Sequence, residues 1–506
     1  MGAPTAGGLL TTEDARPAGP AVDPDDRAFF GHPRGLSTLF GLEVWERFSF
    51  LGMQAILVLF FTATVADDGL GMEAGQAASI AAGYGTMVYL VSVGGGWIAD
   101  RVLGSYRAVL WGGILIACGH YTMAIPAELS TWLGLVLISL GTGLLKPNVS
   151  TLVGKLYSTT DERRDAGFAL YYMGINVGAF FGPLVTGWLG ADVGWHWGFS
   201  AAAIGMTAGV IQYVVGRRHI PGHGRGPEAP LPPAVMRRTL WILGGVAAGV
   251  VILAVGLALV GRLSIAGVVD ALTVVAMAAP IVYFTVMFRS PRVTGEERGR
   301  LRPFLVLWFA SVAFNFVLFQ AYSVLILLAD QHVERTIFGW QAPAAWFSSF
   351  LGGVEVLVAP VVAALWTWLG PRQPHASKKI AIGALLGGLS YLVLVPAVTG
   401  QSGDWKIAVW WLLASLLLLG LGDVLLQTTG LSATTKLAPA AFSSQSMAVW
   451  FLSIALANGI QAQTVRFYGE IPDGLYFTLN GAVAVLVAVV VLVLSPWMRR
   501  TMHPVH

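Results

Sequence analysis

The chain has 506 residues, of which 56% are hydrophobic and only 11% are charged, and its mean hydropathy is +0.70. Because a soluble protein cannot bury that much apolar surface, the composition predicts a polytopic membrane protein. The net charge of +3 is small and the arginines lie in short loops, which argues against nucleic acid as a partner. The single cysteine, Cys118, excludes an intrachain disulfide and offers no metal-ligand spacing.

A helix needs about 20 apolar residues to cross a bilayer. Fourteen stretches of the chain meet this requirement. The predicted helices start near residues 37, 77, 107, 131, 166, 195, 239, 266, 303, 344, 378, 407, 443 and 475. Residues 1–35 precede them and have neither a basic start nor an apolar run. They are interpreted as a flexible cytoplasmic tail and not as a signal peptide.

Lysine and arginine fall mainly in alternate loops, and cytoplasmic loops carry the excess of these residues. One set of loops contains Arg101, Arg107, Lys155, Arg163, Arg164, Arg217, Arg218, Arg225, Arg237, Arg238, Arg289, Arg292, Arg298, Arg300, Arg302, Arg372, Lys378, Lys379, Arg499 and Arg500. The opposite loops contain only Arg262, Arg335, Lys406 and Arg466. Both termini are therefore expected in the cytoplasm, which agrees with an even number of helices.

Two basic, polar segments divide the predicted helices into groups of six, two and six. This pattern predicts an all-α membrane protein with an N-terminal six-helix bundle at 36–216 and a C-terminal six-helix bundle at 302–498. A linker at 217–301 supplies two additional helices, and a short cytoplasmic tail follows at 499–506. In transporters built from two such bundles, the binding cavity lies between them near the middle of the bilayer.

The first predicted helix opens with three charges, in the sequence LEVWERFSFLGMQ. Glu43, Glu46 and Arg47 lie at i, i+3 and i+4, so a helix places them on one face and allows Glu43 to pair with Arg47. Glu46 and Arg47 are sequence neighbours that are not expected to face each other, so Glu46 is expected to have another partner. Each such charge costs about 2.5–3.5 kcal/mol at mid-membrane, which favours a functional cavity. The alternative is a snorkelling cluster at the helix end.

The loop after the second predicted helix reads GGWIADRVLGSYRAVLWGG. Gly95 and Gly96 allow close helix packing, while Asp100, Arg101 and Arg107 can form a charge cluster between helix ends. The loop resembles the signature of the major facilitator superfamily, in which such a cluster acts as a gate. The alternative is a loop whose charges only set the topology.

The fourth predicted helix carries a lysine well inside it, in GTGLLKPNVSTLVGKLY. Pro147 removes one backbone hydrogen bond, and Gly141 and Gly143 allow a neighbouring helix to approach closely. We expect Lys146 to lie across the cavity from the carboxylates of the first helix. Protonation of Glu46 would then weaken its attraction to the ammonium group, so the pair would act as a proton-sensitive latch.

Five motifs spread over most of the chain read EVWERFSF, ADRVLGSYR, GTGLLKPNVS, RRDAGFALYYMGINVGAFFGP and GLSATTKLAP. Together they resemble the proton-dependent oligopeptide transporter family, a branch of the major facilitator superfamily. The resemblance implies the major facilitator fold with two extra helices between the bundles. It also implies import of di- and tripeptides together with protons, by alternating access.

The resemblance assigns roles to individual residues. Four match the proton-coupling positions: Glu43, Glu46, Arg47 and Lys146. Arg47 is also expected near the peptide carboxylate, and Asn176 matches an asparagine that hydrogen-bonds the peptide. Asp423 stands where a glutamate usually holds the peptide amino terminus, and Trp450 matches a pocket aromatic. Without the resemblance, Asn176 fits a helix-packing amide and Trp450 fits a core or interfacial aromatic.

The chain departs from the family pattern where the peptide is expected to bind. Two tyrosines usually follow ERF and an arginine follows Gly-Met, whereas this chain has Phe50, Leu51 and Gln54. Phe50 and Gln54 are still expected to face the substrate. Two hydroxyls and one guanidinium are therefore missing, which predicts a more apolar pocket with the coupling residues retained.

The seventh and eighth predicted helices differ as well. Gln320 and Ser323 are kept and are expected to bind substrate, but Phe319 stands where a carboxylate is common. The eighth helix adds Glu355 within an apolar run. We interpret Glu355 as a replacement proton site or gate partner. The alternative is a carboxyl that is paired locally or protonated because it is buried.

The sequence thus predicts a proton-coupled symporter for short peptides in the plasma membrane, and not an enzyme. It is expected to use protons as the coupling ion, to need no cofactor, and to work as a monomer in the lipid bilayer. One alternative is a proton-coupled carrier or exporter of a non-peptide metabolite. The other is a sensor without transport activity on the same fold.

Overall fold

The computed structural model describes residues 26–158, 161, 163–220, 226–227, 230–401, 405–439, 441–442 and 446–502. Most of the predicted N-terminal tail, half of the predicted C-terminal tail (503–506) and Arg225 in the linker lie outside these residues. The first bundle contains α1 (Arg34–Thr62), α2 (Ala74–Ile98), α3 (Ser105–Met123), α4 (Glu128–Gly154), α5 (Arg164–Asp192) and α6 (Trp195–Val215). The two intervening helices are α7 (Pro233–Leu259) and α8 (Ile265–Arg289).

The second bundle is also helical, apart from one short hairpin of β1 (Thr336–Ile337) and β2 (Trp340–Gln341). Its helices are α9 (Gly295–Leu318), α10 (Val324–His332), α11 (Trp346–Leu369), α12 (Ala376–Leu392), α13 (Val395–Val398), α14 (Val409–Leu437), α15 (Ser446–Thr464) and α16 (Asp473–Met502). The all-α prediction is confirmed.

Twelve helical segments in the described part of the chain are long and apolar enough to cross a membrane. Helix α3, with 19 residues, and helix α7, with 27 residues, occupy the two remaining predicted positions. The protein is therefore a multi-pass membrane protein. The count of fourteen spans and the cytoplasmic location of both termini stay predictions.

The start of the second bundle differs most from its predicted position. Helix α9 begins at Gly295, before the predicted boundary at residue 302. Thr294 accepts a hydrogen bond from the backbone N–H of Glu297, and the Glu297 side chain accepts one from the backbone of Thr294. This reciprocal pair is a capping box, which satisfies two backbone donors and starts a helix within a polar segment. Hydropathy does not detect such a polar first turn.

The predicted seventh span is broken in the middle. Helix α9 ends at Leu318, a 3₁₀ turn covers Phe319–Tyr322, and α10 continues from Val324. Because a 3₁₀ turn has about three residues per turn, side chains at i and i+3 share a direction. Phe319 therefore lies on the same side as Tyr322, and Gln320 on the same side as Ser323.

The two bundles meet at the helix ends that are poor in arginine. There, the hydroxyl of Ser79 on α2 donates to the carbonyl of Ala462 on α15 over 2.6 Å. The indole of Trp346 on α11 donates to the carbonyl of Leu184 on α5 over 3.0 Å. A side chain at Gly187 would overlap Ala345, so the α5–α11 contact at this end requires a glycine. The additional helix α8 packs against both α2 and α15, so it touches both bundles.

Candidate functional site

A cavity lies between the two bundles and contains about 1070 Å³ of atom-free space, including its mouth. Its polar and ionisable lining consists of Arg47, Tyr89, Lys146, Tyr172, Asn176, Tyr322, Glu355, Asp423, Gln427 and Thr428. Its apolar lining includes Phe50, Leu51, Ile175, Leu318, Phe319, Trp450, Phe451 and Ile454. This combination of an apolar wall with few, converging polar groups is typical of a small-molecule site.

The N-terminal wall is built around Arg47 on α1. Its Nε donates a hydrogen bond to Oε1 of Glu43 over 2.9 Å, one helical turn earlier. The hydroxyl of Tyr171 on α5 donates to the other oxygen of Glu43 over 2.6 Å. Glu43 is thereby held in place from two sides, as expected for a buried charge that is paired and hydrogen-bonded.

Glu46 contacts Arg47 directly, which corrects the expectation that these neighbours do not face each other. Its Oε2 lies 3.0 Å from Nε of Arg47. The single hydrogen on Nε points at Glu43, so the contact with Glu46 is an ion pair without a hydrogen bond. Glu46 is fully buried, and within the described residues both of its oxygens lack a hydrogen-bond donor. The long guanidinium side chain reaches over the intervening backbone, which helical spacing alone does not predict.

Glycines of α5 set the distance between α1 and α5. A side chain at Gly178 would overlap the backbone of Val44 and the side chain of Arg47, and one at Gly182 would overlap Phe48. Because no larger residue fits there, α5 approaches α1 closely. This approach brings Tyr171 into hydrogen-bond range of Glu43.

Lys146 lines the cavity as expected, but its partner differs from the prediction. Its Nζ donates to the hydroxyl of Tyr89 on α2 over 3.0 Å and lies 4.3 Å from the centre of the same ring. Among the described residues, no carboxylate oxygen lies within 4.0 Å of this Nζ. The expected latch between Lys146 and Glu46 is therefore not formed in this conformation. The tyrosine offers both an acceptor and a π face, which stabilise an ammonium group without a counter-ion.

The backbone around Lys146 is stabilised from α2. Pro147 lies inside the continuous helix α4, as predicted. The side-chain amide of Asn148 donates to the carbonyls of Leu144 over 2.7 Å and of Gly95 over 3.3 Å. A side chain at Gly95 would overlap the backbone of Gly143, so the two helices touch through glycine. This packing places Lys146 opposite Tyr89.

The C-terminal wall carries two carboxyl groups, Glu355 on α11 and Asp423 on α14. Within the described residues, Glu355 has no hydrogen bond or cationic partner, and Oδ1 of Asp423 is buried without a donor. Trp450 on α15 is 1% exposed and lies against Gly430, where a side chain would overlap the indole. Asn176 on α5 completes the predicted residues that line the cavity.

Three residues predicted to bind substrate lie outside the cavity. Gln54 is buried one turn beyond Phe50, towards the end where the bundles meet. Gln320 accepts a hydrogen bond from the hydroxyl of Tyr476 over 2.6 Å, and Ser323 accepts one from Gln461 over 3.1 Å. Both serve the interior of the second bundle. The 3₁₀ turn explains this outcome, because it directs Phe319 and Tyr322 into the cavity instead.

The predicted gate residues lie at the arginine-rich end. Asp100 and Arg101 are exposed and belong to a π-helical turn over Ala99–Leu103, and Arg107 is exposed on α3. They do not line the cavity. Their position at the helix ends agrees with a gate or a topology signal, and the choice between these stays a prediction.

Sequence reasoning missed four tyrosines of the site, namely Tyr89, Tyr171, Tyr172 and Tyr322. Tyr171 and Tyr172 stand in the quoted motif ALYYMGIN, where two adjacent hydroxyls in an apolar helix were a readable signal. Tyr89 on α2, Tyr172 on α5 and Tyr322 in the 3₁₀ turn line the cavity and replace part of the polar surface that Phe50 and Leu51 do not supply on α1, whereas Tyr171 is buried behind the wall against Glu43. Within the described residues, no group of three metal-ligating side chains is placed to hold a metal ion.

Comparison with known proteins gives consistent matches. The sequence profile of the POT family matches residues 106–479. The uncharacterized transporter YclF of Bacillus subtilis (strain 168) is 40% identical over 484 residues, which cover 95% of this chain and 97% of that protein. A di-/tripeptide transporter of Lactococcus lactis subsp. cremoris is 37% identical over 494 residues, with 95% and 98% covered. The crystal structure of the peptide transporter POT in complex with sulfate has a TM-score of 0.90 at 42% identity, and 94% of this chain and 97% of that chain are covered.

Two helical bundles around a charged central cavity define a membrane transporter of the major facilitator type, and not an enzyme. The profile match covers more than half of the chain, and the relatives align over nearly all of it. This chain belongs to the POT family. Proteins of this family are multi-pass transporters, typically of the plasma membrane.

Proposed function

We propose that this protein is a proton-coupled symporter that imports di- and tripeptides by alternating access. The observation that carries the proposal is the contact between Glu46 and Arg47. Glu46 is a fully buried carboxylate without a hydrogen-bond donor in the described residues, and it touches an arginine that lines the cavity. Relatives named as peptide transporters support a peptide as the cargo.

The proposed coupling follows from the charges around Arg47. With both glutamates ionised, the guanidinium has two counter-ions, at 2.9 Å and 3.0 Å. When Glu46 takes up a proton, one counter-ion is lost, and the guanidinium can accept the carboxylate of a peptide instead. Proton and peptide carboxylate then bind together, because only the two together keep the buried charges balanced. Lys146 is free to contribute to the same carboxylate, because it is held only by a neutral tyrosine.

The closed and open ends of the cavity correspond to one stage of the proposed transport cycle. The bundles are joined at the arginine-poor end through Ser79 and Ala462 and through Trp346 and Leu184. Thr428, in the wall towards the other end, is exposed. With the predicted orientation, this is an inward-facing conformation, from which a peptide leaves to the cytoplasm.

On the side formed by α1 and α15, the pocket is proposed to favour apolar peptide side chains. Phe50 and Leu51 line it where the family pattern has tyrosines, and Phe319, Trp450 and Phe451 extend the apolar surface. The same loss of hydroxyls supports the alternative cargo, a non-peptide metabolite that carries an amine and a carboxylate. No feature of the site favours a sensor over a transporter.

Reconstitution into liposomes tests the proposal. With an inward proton gradient, labelled Ala-Ala and Ala-Ala-Ala should accumulate above equilibrium, and a protonophore should abolish the accumulation. Protein-free liposomes are the control. Absence of uptake over a varied panel of di- and tripeptides would overturn the peptide assignment. Proton entry in response to an amine-containing acid, without peptide uptake, would favour the metabolite carrier.

A further inference from the structure

The cavity and the ion pairs behind it contain more carboxyl groups than cationic side chains, and this excess points to a feature of the cargo. Arg47 and Lys146 are its cationic residues, and Glu355 and Asp423 are its carboxylates. The charge of Arg47 is already offset by Glu43 and Glu46, which are buried behind it. The cluster therefore contains four carboxyl groups and two cations. A zwitterionic dipeptide adds no net charge and leaves this imbalance in place.

Glu355 is the carboxyl group whose role is not explained by peptide transport as proposed above. It lines the cavity from α11, and within the described residues neither an ion pair within 4.0 Å nor a hydrogen bond engages it. Glu355 is only partly exposed, and a carboxylate with little access to water needs a counter-charge or a proton. Helix α11 packs against α14, which presents Asp423 to the same space, and the two carboxyl groups interact electrostatically.

The surroundings of the two carboxyl groups are those of an ammonium site. Tyr172 and Tyr322 line the same cavity, and both hydroxyls interact electrostatically with Glu355 and Asp423. Carboxylates combined with aromatic faces bind alkylammonium groups through ion pairing and cation–π contact. One ammonium group, the peptide amino terminus, accounts for only one of the two carboxyl groups.

We propose that Glu355 makes this transporter selective for substrates that carry a second ammonium group on the first residue, as in a lysyl dipeptide. Asp423 binds the α-amino group, and Glu355 binds the side-chain ammonium of the same residue. The proposal rests on peptide transport as proposed above. It replaces the interpretation of Glu355 as a proton site.

Competition against labelled Ala-Ala in counterflow tests the proposal. Lys-Ala is compared with norleucyl-alanine, which has the same chain length but lacks the ammonium group. We expect Lys-Ala to compete at a concentration about tenfold lower, which corresponds to about 1.4 kcal/mol. In Glu355→Gln the two peptides should compete equally against Ala-Ala, and Glu355→Asp should keep part of the preference. Glu470→Gln, which removes an exposed carboxylate outside the cavity, should behave as the wild type.

The outcomes separate this proposal from the proposed function. Equal competition by Lys-Ala and norleucyl-alanine in the wild type overturns the ammonium site and leaves peptide transport intact. This comparison needs no variant, so it holds even if Glu355→Gln fails to fold. A preference that survives in Glu355→Gln also overturns the proposal. If Glu355→Gln keeps counterflow but loses proton-driven accumulation, Glu355 is a proton site instead. Failure of every peptide to compete or enter removes the proposed function, and this proposal with it.

Discussion

Lys146 donates a hydrogen bond to the hydroxyl of Tyr89 over 3.0 Å, where a contact with a carboxylate was expected. The ammonium group also faces the ring of Tyr89 at 4.3 Å and that of Phe50 at 5.7 Å. A neutral partner holds the lysine without neutralising it. The charge of Lys146 therefore stays available for a peptide carboxylate or for a glutamate of α1.

Tyr89→Phe should destabilise the present conformation relative to the state that opens to the other side. The variant keeps the ring but removes a hydrogen bond to a charged group, which is worth about 1.5–3 kcal/mol. The equilibrium between the two states should then shift by about tenfold or more, since about 1.4 kcal/mol corresponds to a factor of ten. The measurement is the rate at which Thr428→Cys reacts with a maleimide in a Cys118→Ser background. Because Thr428 is exposed in the present conformation, this rate should fall in Tyr89→Phe.

Tyr84→Phe is the matched control for this experiment. Tyr84 lies on the same helix, and its buried hydroxyl has no hydrogen-bond partner among the described residues. Its removal should leave the reaction rate of Thr428→Cys unchanged. Equal rates in Tyr89→Phe and the parent protein would show that the hydrogen bond does not stabilise this conformation.

Arg466 connects three parts of the molecule at the end where the bundles meet. Its guanidinium lies 2.7 Å from Asp270 on α8 and 3.1 Å from the hydroxyl of Ser79 on α2. We expect Arg466→Gln to loosen this end only slightly, because exposed ion pairs contribute about 0–1 kcal/mol. Ala345 is buried against Gly187, so the rate at which Ala345→Cys reacts with a maleimide reports on this loosening. The rate should rise by up to about fivefold in Arg466→Gln.

Arg262→Gln serves as the control for Arg466→Gln, because Arg262 is exposed in a loop of the same side and has no ion pair within the described residues. It should not change the labelling of Ala345→Cys. A similar increase in both variants would indicate a general loss of positive charge and not the loss of the Arg466 contacts.

His32 attaches the segment before α1 to the loop after α4. Its Nδ1 lies 2.9 Å from the hydroxyl of Tyr157, and Arg163 donates to the carbonyl of Asp26 over 3.2 Å. Residues 26–33 thus contact the bundle, although they fall in the segment predicted to be a flexible tail. Burial lowers the pKa of His32, and the charge of Arg163 lowers it further, while Asp161 acts in the opposite direction.

The stabilisation provided by neutral His32 should be lost as the pH falls. The unfolded chain binds a proton near pH 6.5, whereas the folded chain binds one only at lower pH, so acid favours the unfolded or detached segment. His32→Phe should cost about 0.5–1.5 kcal/mol above pH 7 through the lost hydrogen bond. The difference in Tm between the wild type and His32→Phe should shrink from pH 8 to pH 5. A difference that is constant over this range would contradict the account.

Much of the fold was predictable, because hydropathy and charge indicate which segments lie in the bilayer and which lie in water. The starts of most helices lie close to their predicted positions, and α9 differs because its first turns are polar and are stabilised by Thr294 and Glu297. The break at Phe319–Tyr322 was not predictable in this way. Hydropathy does not distinguish a 3₁₀ turn from an α-helix, and the turn decides which of four adjacent side chains reach the cavity.

The candidate site was predictable in its residues more than in its contacts. Arg47, Lys146, Asn176, Asp423 and Trp450 all line the cavity. The partners of these residues depend on how closely the helices approach one another. Glycines such as Gly178 and Gly430 determine this distance, and the spacing of residues in one sequence does not reveal it. The contact of Glu46 with Arg47 depends on the rotamer of one long side chain.

The most direct test of the account is the proton dependence of peptide uptake by Glu46→Gln. In liposomes with an inward proton gradient, the variant should lose the accumulation of Ala-Ala above equilibrium, because its neutral amide can neither release nor take up the proton. Exchange of Ala-Ala in counterflow should remain, since this exchange needs no net proton movement. Proton-driven accumulation equal to that of the wild type would contradict the central claim that Glu46 couples the proton to the peptide.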